Sequence, residues 1–187
     1  MEISKTTISQ QKLQAEWHEI QAAQKDPAQF GVLYRRYYTP IFKFIYRRTA
    51  DESLTADVCS QVFLKAMEKL SSYKFKGVPF SAWLYRIASN EISQHFRGKQ
   101  KDRVVTLEES DIGEMIEEMH EEQDDGLLRS RLILALNELK VADIQLIEMR
   151  YFEKRSFKEI SDILDIKESN AKVRTYRILE RIKKKMK

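Results

Sequence analysis

The sequence predicts an all-α fold: two helical domains joined by an acidic linker, the C-terminal one a helix-turn-helix. Three observations predict it. Glycine and proline are scarce, 5 and 3 among 187 residues, and the dipeptides that mark hairpin turns are absent. Apolar residues recur at i, i+3 and i+4, the spacing of a helix face rather than a strand. Charge changes sharply along the chain: between Val104 and Gly126 there are ten carboxylates and no Lys or Arg, whereas Lys172 to Lys187 holds eight basic residues against Glu180 alone. The boundaries follow: a first domain over 1–99, the acidic linker over 100–126, and a second domain over 127–187.

Composition narrows the class. At 42% hydrophobic the chain can build a core although a third of it is charged. Its length admits one or two small domains. One cysteine excludes a disulfide framework and a Cys-rich zinc site, and suits the reducing cytoplasm. No apolar run approaches the ~20 residues of a membrane span, and the first residues lack the apolar stretch of a signal peptide. The expectation is a cytoplasmic protein with no membrane insertion.

The elements can be justified in order. Leu13, Trp17 and Ile20 line one face of a short first helix. Asp26-Pro27 starts the next, Asp as N-cap and Pro at the first position. That helix carries Phe30, Leu33, Tyr34 and Tyr37, then Ile41, Phe42 and Ile45 past a break or kink near Pro40. A third runs from about Ser53 to Leu70 with Val58, Val62, Phe63, Ala66 and Leu70 inward. Tyr73 to Pro79 reads as a loop, punctuated by Gly77 and Pro79. A helix follows from Ser81 to Arg97. In the second domain, helices are expected over Leu127–Leu139 and Ala142–Glu153. Ser156 and Glu159 form a capping box for a helix striped by Phe157, Ile160, Ile163 and Leu164. After a tight turn at Asp165-Ile166-Lys167, the last helix runs from about Ser169 to Met186. Asp165 stands in that turn where Gly would serve a left-handed backbone best.

Clustered Lys and Arg on the second helix of a helix-turn-helix point to a polyanion, because each cation near a phosphate releases a counterion. No catalytic constellation accompanies them. His18, His95 and His120 are far apart and lack metal-ligand partners at usable spacing, no glycine-rich phosphate loop exists, and Cys59 reads as core. No enzyme activity, metal or cofactor is expected.

The stretch Phe80-Ser-Ala-Trp-Leu-Tyr-Arg-Ile-Ala-Ser-Asn90, ending in Arg97, resembles region 2.3–2.4 of bacterial RNA polymerase sigma factors, in the extracytoplasmic-function (ECF) group of the sigma-70 family. Three other segments agree in order. Asp26-Pro-Ala-Gln-Phe30 with Leu33-Tyr34 resembles region 2.1. Ala56-Asp57 with Gln61-Val-Phe63-Leu-Lys-Ala66 resembles region 2.2. Leu136–Leu139, Ile147–Phe152, Ser156–Ile160 and Ala171–Arg174 resemble region 4. The resemblance implies a promoter-recognition subunit. Its partners would be core RNA polymerase (beta-prime clamp helices and beta flap), promoter DNA and an anti-sigma factor. The first domain would open the minus-ten element and the second would read the minus-thirty-five element. The acidic linker would mimic a nucleic acid in a basic channel. The alternative is a stand-alone helix-turn-helix regulator, which accounts for residues 127–187 only.

Candidate residues follow from this division. Melting DNA requires stacking and pockets for extruded bases, so the minus-ten set is Tyr73, Lys74, Phe75, Lys76, Trp83, Arg86, Asn90 and Arg97, with the Tyr73–Val78 loop holding a flipped base. Trp83 fits core packing as well as DNA contact. Side chains early in a recognition helix reach base edges, giving Ser169, Asn170, Lys172, Arg174 and Arg177 for the minus-thirty-five element. Asp57, Gln61, Lys65 and Glu68 share one side of the region 2.2 helix and are the polymerase-docking candidates. There the family usually shows a Gln-Glu pair, and this chain has Ser60-Gln61.

Overall fold

A computed structural model describes residues 10–96, 113, 115–116 and 125–186. Among them there are helices and turns and no strand. The N-terminal unit contains α1 (Gln10–Lys25), a 3-10 turn (Pro27–Gln29), α2 (Phe30–Thr49), α3 (Glu52–Lys69), a second 3-10 turn (Leu70–Ser72) and α4 (Phe80–His95). Asp26 accepts from the Ala28 N–H at 3.1 Å, and Asp51 caps α3 by accepting from Leu54 N–H at 2.8 Å. Each carboxylate satisfies a donor that the first helical turn leaves without a partner.

The expected break at Pro40 does not occur: α2 runs as one 20-residue helix through it. A proline inside a helix forfeits a hydrogen bond and costs roughly 3 kcal/mol. Burial on both sides of it, of Phe30 and Leu33 before and of Ile41, Phe44 and Ile45 after, outweighs that cost. The helix ends at Ala50, which takes the left-handed conformation (φ 50°).

The C-terminal unit contains α5 (Asp125–Asn137), α6 (Val141–Ile147), one π-helical turn (Glu148–Phe152), α7 (Phe157–Leu164) and α8 (Glu168–Met186). The single helix expected over Ala142–Glu153 is therefore α-helical only in its first half. The Glu153 N–H bonds to the Glu148 carbonyl at 2.8 Å, five residues back. The wider turn brings Glu148 and Glu153 toward the N-terminal unit. The capping box is present in full: Ser156 accepts from Glu159 N–H, and the Glu159 carboxylate accepts from Ser156 N–H. Asp165 ends α7 in the left-handed region (φ 55°, ψ 48°), and α8 buries Ala171, Thr175, Ile178, Leu179, Ile182 and Met186.

The two units pack against each other, chiefly through α4 and α7, and their buried apolar residues form one continuous cluster. Ion pairs cross this interface. The Arg48 guanidinium donates twice to Glu148, both side chains buried. Arg47 donates to Glu153, which also accepts from the Tyr85 hydroxyl. Arg155 lies over the Tyr85 ring, 4.5 Å from its centroid, and donates to Ser81 Oγ at 3.0 Å. The N-terminal half of α4 has the second unit against it. Within the linker, Gly113, Met115 and Ile116 are helical, and Met115 is fully buried. Arg97 and the side chains of the ten linker carboxylates lie outside the described residues.

Candidate nucleic-acid interface

The chain between α3 and α4 makes the first site. Leu70 and Val78 are buried and anchor its two ends, while Lys74, Phe75 and Lys76 stay exposed between them. Gly77 reverses the chain with φ 71°, a conformation that other residues adopt at a cost. Behind the loop stands a cluster of rings. Tyr73 meets Trp83 with centroids 4.9 Å apart and Phe80 edge-on at 5.2 Å. Phe75 stacks on Trp17 at 5.8 Å with 24° between the planes. Burial, with Glu16 and Asp162 nearby, pushes the Tyr73 hydroxyl well above its ordinary pKa, so it stays a neutral donor.

Loop and rings bound a pocket of about 340 Å³, lined by Lys69, Ser72, Tyr73, Lys74, Lys76, Val78, Trp83, Arg86 and Asp162. Cationic heads surround an aromatic floor, which suits an unstacked base attached to phosphates. Five of the eight sequence candidates, Tyr73, Lys74, Lys76, Trp83 and Arg86, line this pocket together. Phe75 lies on the neighbouring loop surface and Asn90 is exposed further along α4. Trp83 is half-buried: it packs on Phe80 at 5.3 Å and also lines the pocket.

Two carboxylates of the second unit already sit on this surface. Lys76 Nζ is 3.2 Å from Asp162, and Arg86 is 3.2 Å from Asp165. Asp162 is also the one acid of the pocket lining.

The second site is the outer face of α8. Ser169, Asn170, Lys172 and Arg177 are exposed along it, whereas Arg174 is half-buried. The Arg174 guanidinium donates to Asp143 at 3.2 Å, and Arg181 donates to the same carboxylate at 2.5 Å. Burial alone would push Asp143 up, but the hydrogen bonds from Arg181 and Arg174 prevail and hold it below the usual carboxylate range. Sequence reasoning missed Val173 and Tyr176, exposed apolar residues on the same face. Their signal was available: at i+3 and i+6 from Asn170, neither falls on the inward stripe of Ala171, Ile178 and Ile182.

The third site is the outer side of α3. Asp57, Gln61 and Glu68 are exposed there, but Lys65 is partly withdrawn, donating to Glu91 of α4 at 2.6 Å. Beside them Leu64 and Met67 are about half exposed. Neither belongs to the inward set of Val58, Val62, Phe63, Ala66 and Leu70, so they too were legible as outward apolar residues. An apolar centre with a polar rim has the composition of a protein-docking patch.

Among the described residues no group of three or more His, Cys, Asp or Glu side chains is arranged to hold a metal ion, and no helix is long and apolar enough to cross a membrane. Cys59 is fully buried, and burial pushes its thiol up to about 12.

Comparison with known proteins gives family matches in both units. The family described as Sigma-70 region 2 matches residues 33–102, and Sigma-70, region 4, matches residues 129–182. The chain is 27% identical over 154 residues to the ECF RNA polymerase sigma factor BldN of Streptomyces coelicolor, covering 79% of this chain and 56% of that protein. It is 24% identical over 152 residues to the ECF RNA polymerase sigma factor SigM of Bacillus subtilis, covering 81% of this chain and 91% of that one. Its fold is similar to that of CnrH, solved in complex with the cytosolic domain of CnrY: TM-score 0.63 at 18% identity, over 90% of this chain and 94% of that one.

Proposed function

The chain belongs to the sigma-70 family, in its ECF group, and from that premise we propose how its surfaces divide the work of directing RNA polymerase to promoters. The pocket beneath the Tyr73–Val78 loop receives a base extruded from the minus-ten element. Tyr73 and Trp83 give it stacking surface, and Lys74, Lys76 and Arg86 hold the flanking phosphates, with Asn90 further along α4; Arg97 joins this set from the sequence alone. A stacked base is worth about 1–3 kcal/mol, which is how a protein without catalytic groups can favour a melted strand. Ser169, Asn170, Lys172, Arg174 and Arg177 of α8 read the minus-thirty-five element. The face of Asp57, Gln61, Lys65 and Glu68, centred on Leu64 and Met67, docks on core polymerase. The chain works in the cytoplasm, and the chemistry of RNA synthesis is the polymerase's own.

The observation that carries this reading is the aromatic pocket edged by cations, in a unit that matches sigma-70 region 2 over residues 33–102. A stand-alone regulator would need only the second unit and leaves that pocket without a use. An anti-sigma partner fits as well. The similar fold of CnrH was solved with a bound cytosolic domain of CnrY, and a closed surface of paired charges here offers a place for such a regulator to act.

The test is run-off transcription with core polymerase on a library of genomic promoters. The purified chain is expected to co-elute with core and to give start-site-specific transcripts. Replacing Lys74, Phe75 and Lys76 together by Ala is expected to lower open-complex formation at least tenfold with holoenzyme assembly nearly unchanged. Loss of assembly instead would overturn the division of labour. Binding of duplex DNA without any affinity for core would favour the regulator.

A further inference from the structure

Helix α1 lies ahead of residue 33, where the region 2 match begins, and none of its residues was a site candidate. Three of its side chains nevertheless converge on the pocket loop. Gln24 Nε2 donates to the carbonyls of Leu70 and Tyr73, at 2.9 and 3.0 Å. It thereby ties down the point where the chain leaves α3. At the other end of the loop, Glu16 Oε2 accepts from the Phe80 N–H at 2.8 Å, the first residue of α4. Pro79 precedes that residue and has no side chain able to cap the helix, so Glu16 caps it from another element, its charge placed at the positive end of a 16-residue helix. Its second oxygen accepts from the Tyr37 hydroxyl, which leaves the carboxylate little freedom to turn. Between these two ties, the Trp17 ring supports the loop tip through Phe75 and meets Tyr73 at 6.3 Å.

We propose that α1 is a positioning element of the minus-ten pocket: Gln24 and Glu16 fix the two ends of the Tyr73–Val78 loop, Trp17 fixes its tip, and together they set which base the pocket accepts. This rests on the reading of that pocket given above. The physical reason is the nature of the loop. From Tyr73 to Pro79 the backbone forms no helix or strand, so its carbonyls and rings have no lattice of their own to hold them. A pocket discriminates among bases only if its walls cannot yield to the wrong one, because a wall that moves accepts all bases about equally. Glu16 is buried, Gln24 and Trp17 are half-buried, and all three reach the loop from one helix face at i, i+1 and i+8.

The experiment uses full-length holoenzyme and a promoter template library randomised over the minus-ten element, read by sequencing of run-off transcripts. Trp17→Ala and Gln24→Ala are each expected to reduce base preference at the position read by the pocket at least fivefold. Preference at the minus-thirty-five element and affinity for core should stay within twofold of the parent. Trp17→Phe, which keeps a stacking ring, is expected to restore the preference. Trp83→Ala, which removes a ring of the pocket lining, serves as the control for the pocket itself. If Trp83→Ala abolishes the preference while the α1 variants leave it intact, the positioning role is overturned and the pocket stands. If Trp83→Ala has no effect either, the pocket reading fails first. If the α1 variants lower transcript yield only in proportion to a fall in melting temperature, with the ranking of bases retained, α1 is a folding element alone and the proposal is overturned.

Discussion

Arg48 and Glu148 are both charged and both buried, and they belong to different units of the molecule. Taking two charges out of water costs several kcal/mol for each, and their attraction repays this only with good geometry. The bidentate Arg48–Glu148 pairing supplies that geometry. Such a pair contributes little net stability, yet it is costly to break from one side only: removing one partner of a buried pair costs about 3–5 kcal/mol. Glu148→Gln is therefore expected to lower the melting temperature of the free chain or to part the two units, which small-angle scattering would register as a larger radius. The double replacement Arg48→Met with Glu148→Leu removes both charges and should keep the chain compact. If Glu148→Gln left both measurements unchanged, the pair would be irrelevant to the interface.

Asp143 illustrates a second residue-scale effect. Its carboxyl is held below the ordinary range, so its pairing with Arg174 and Arg181 stabilises the fold at neutral pH. That contribution persists above the unfolded value of about 3.9 and is lost as pH falls through the lower folded value. The Asp143→Asn variant should lose this part of the acid dependence, seen by following stability from pH 6 to pH 2. The same variant releases Arg174, a base-reading candidate, from its internal partner. Binding to the minus-thirty-five duplex is expected to strengthen at low salt, and an unchanged affinity would remove Arg174 from the reading set.

At the scale of the element, local rules account for most starts and stops. The Asp26 and Asp51 caps, the Ser156–Glu159 box and the left-handed Asp165 are each decided by one or two side chains within four residues. Ser156→Ala should cost about 1 kcal/mol of stability, measured by denaturant unfolding. The elements that departed from sequence expectation were those where distant packing outweighed a local preference. Pro40 stays inside α2 because α2 buries apolar residues on either side of it. The π turn at Glu148–Phe152 is the converse case. Its sequence reads as an ordinary helix, and its widened turn is tied to what lies across the interface: Glu148 to Arg48, and Glu153, just beyond, to Arg47 and Tyr85. Nothing local distinguishes these two acids from the many that are exposed.

At the scale of the whole molecule, the closed packing of the two units has a geometric consequence. Elements centred about 25 base pairs apart lie roughly 85 Å apart along duplex DNA at about 3.4 Å per base pair. A compact chain of this length has a radius of gyration of about 16 Å and cannot touch both. Engagement of both elements requires the α4–α7 interface to part. The linker over 100–126 can then span the gap at up to about 3.3–3.6 Å per residue. The interface is suited to parting. Its ion pairs regain hydration when separated, and on the proposed reading of the pocket, phosphates would take the places of Asp162 and Asp165 beside Lys76 and Arg86. A pair of fluorophores, one on each unit, is expected to show high energy transfer in the free chain and a marked loss on assembly with core polymerase and promoter. Equal transfer in both states would show that the closed arrangement persists in the working complex.

The sequence by itself determined the helical class, the order of the helices, the Asp26 and Ser156 caps, the run of cations along α8 and the resemblance that led to the family. These depend on periodicity, charge runs and side chains within one helical turn of each other, all of which are written along the chain. Only the tertiary structure decided that Glu16 caps α4 from 64 residues away, that Gln24 ties the pocket loop, that Arg86 and Lys76 face carboxylates of the second unit, and that Glu148 is buried rather than exposed. In each case the partner lies 46 or more residues distant in the chain. The energy of such a pair depends on burial and geometry that exist only once the helices have packed.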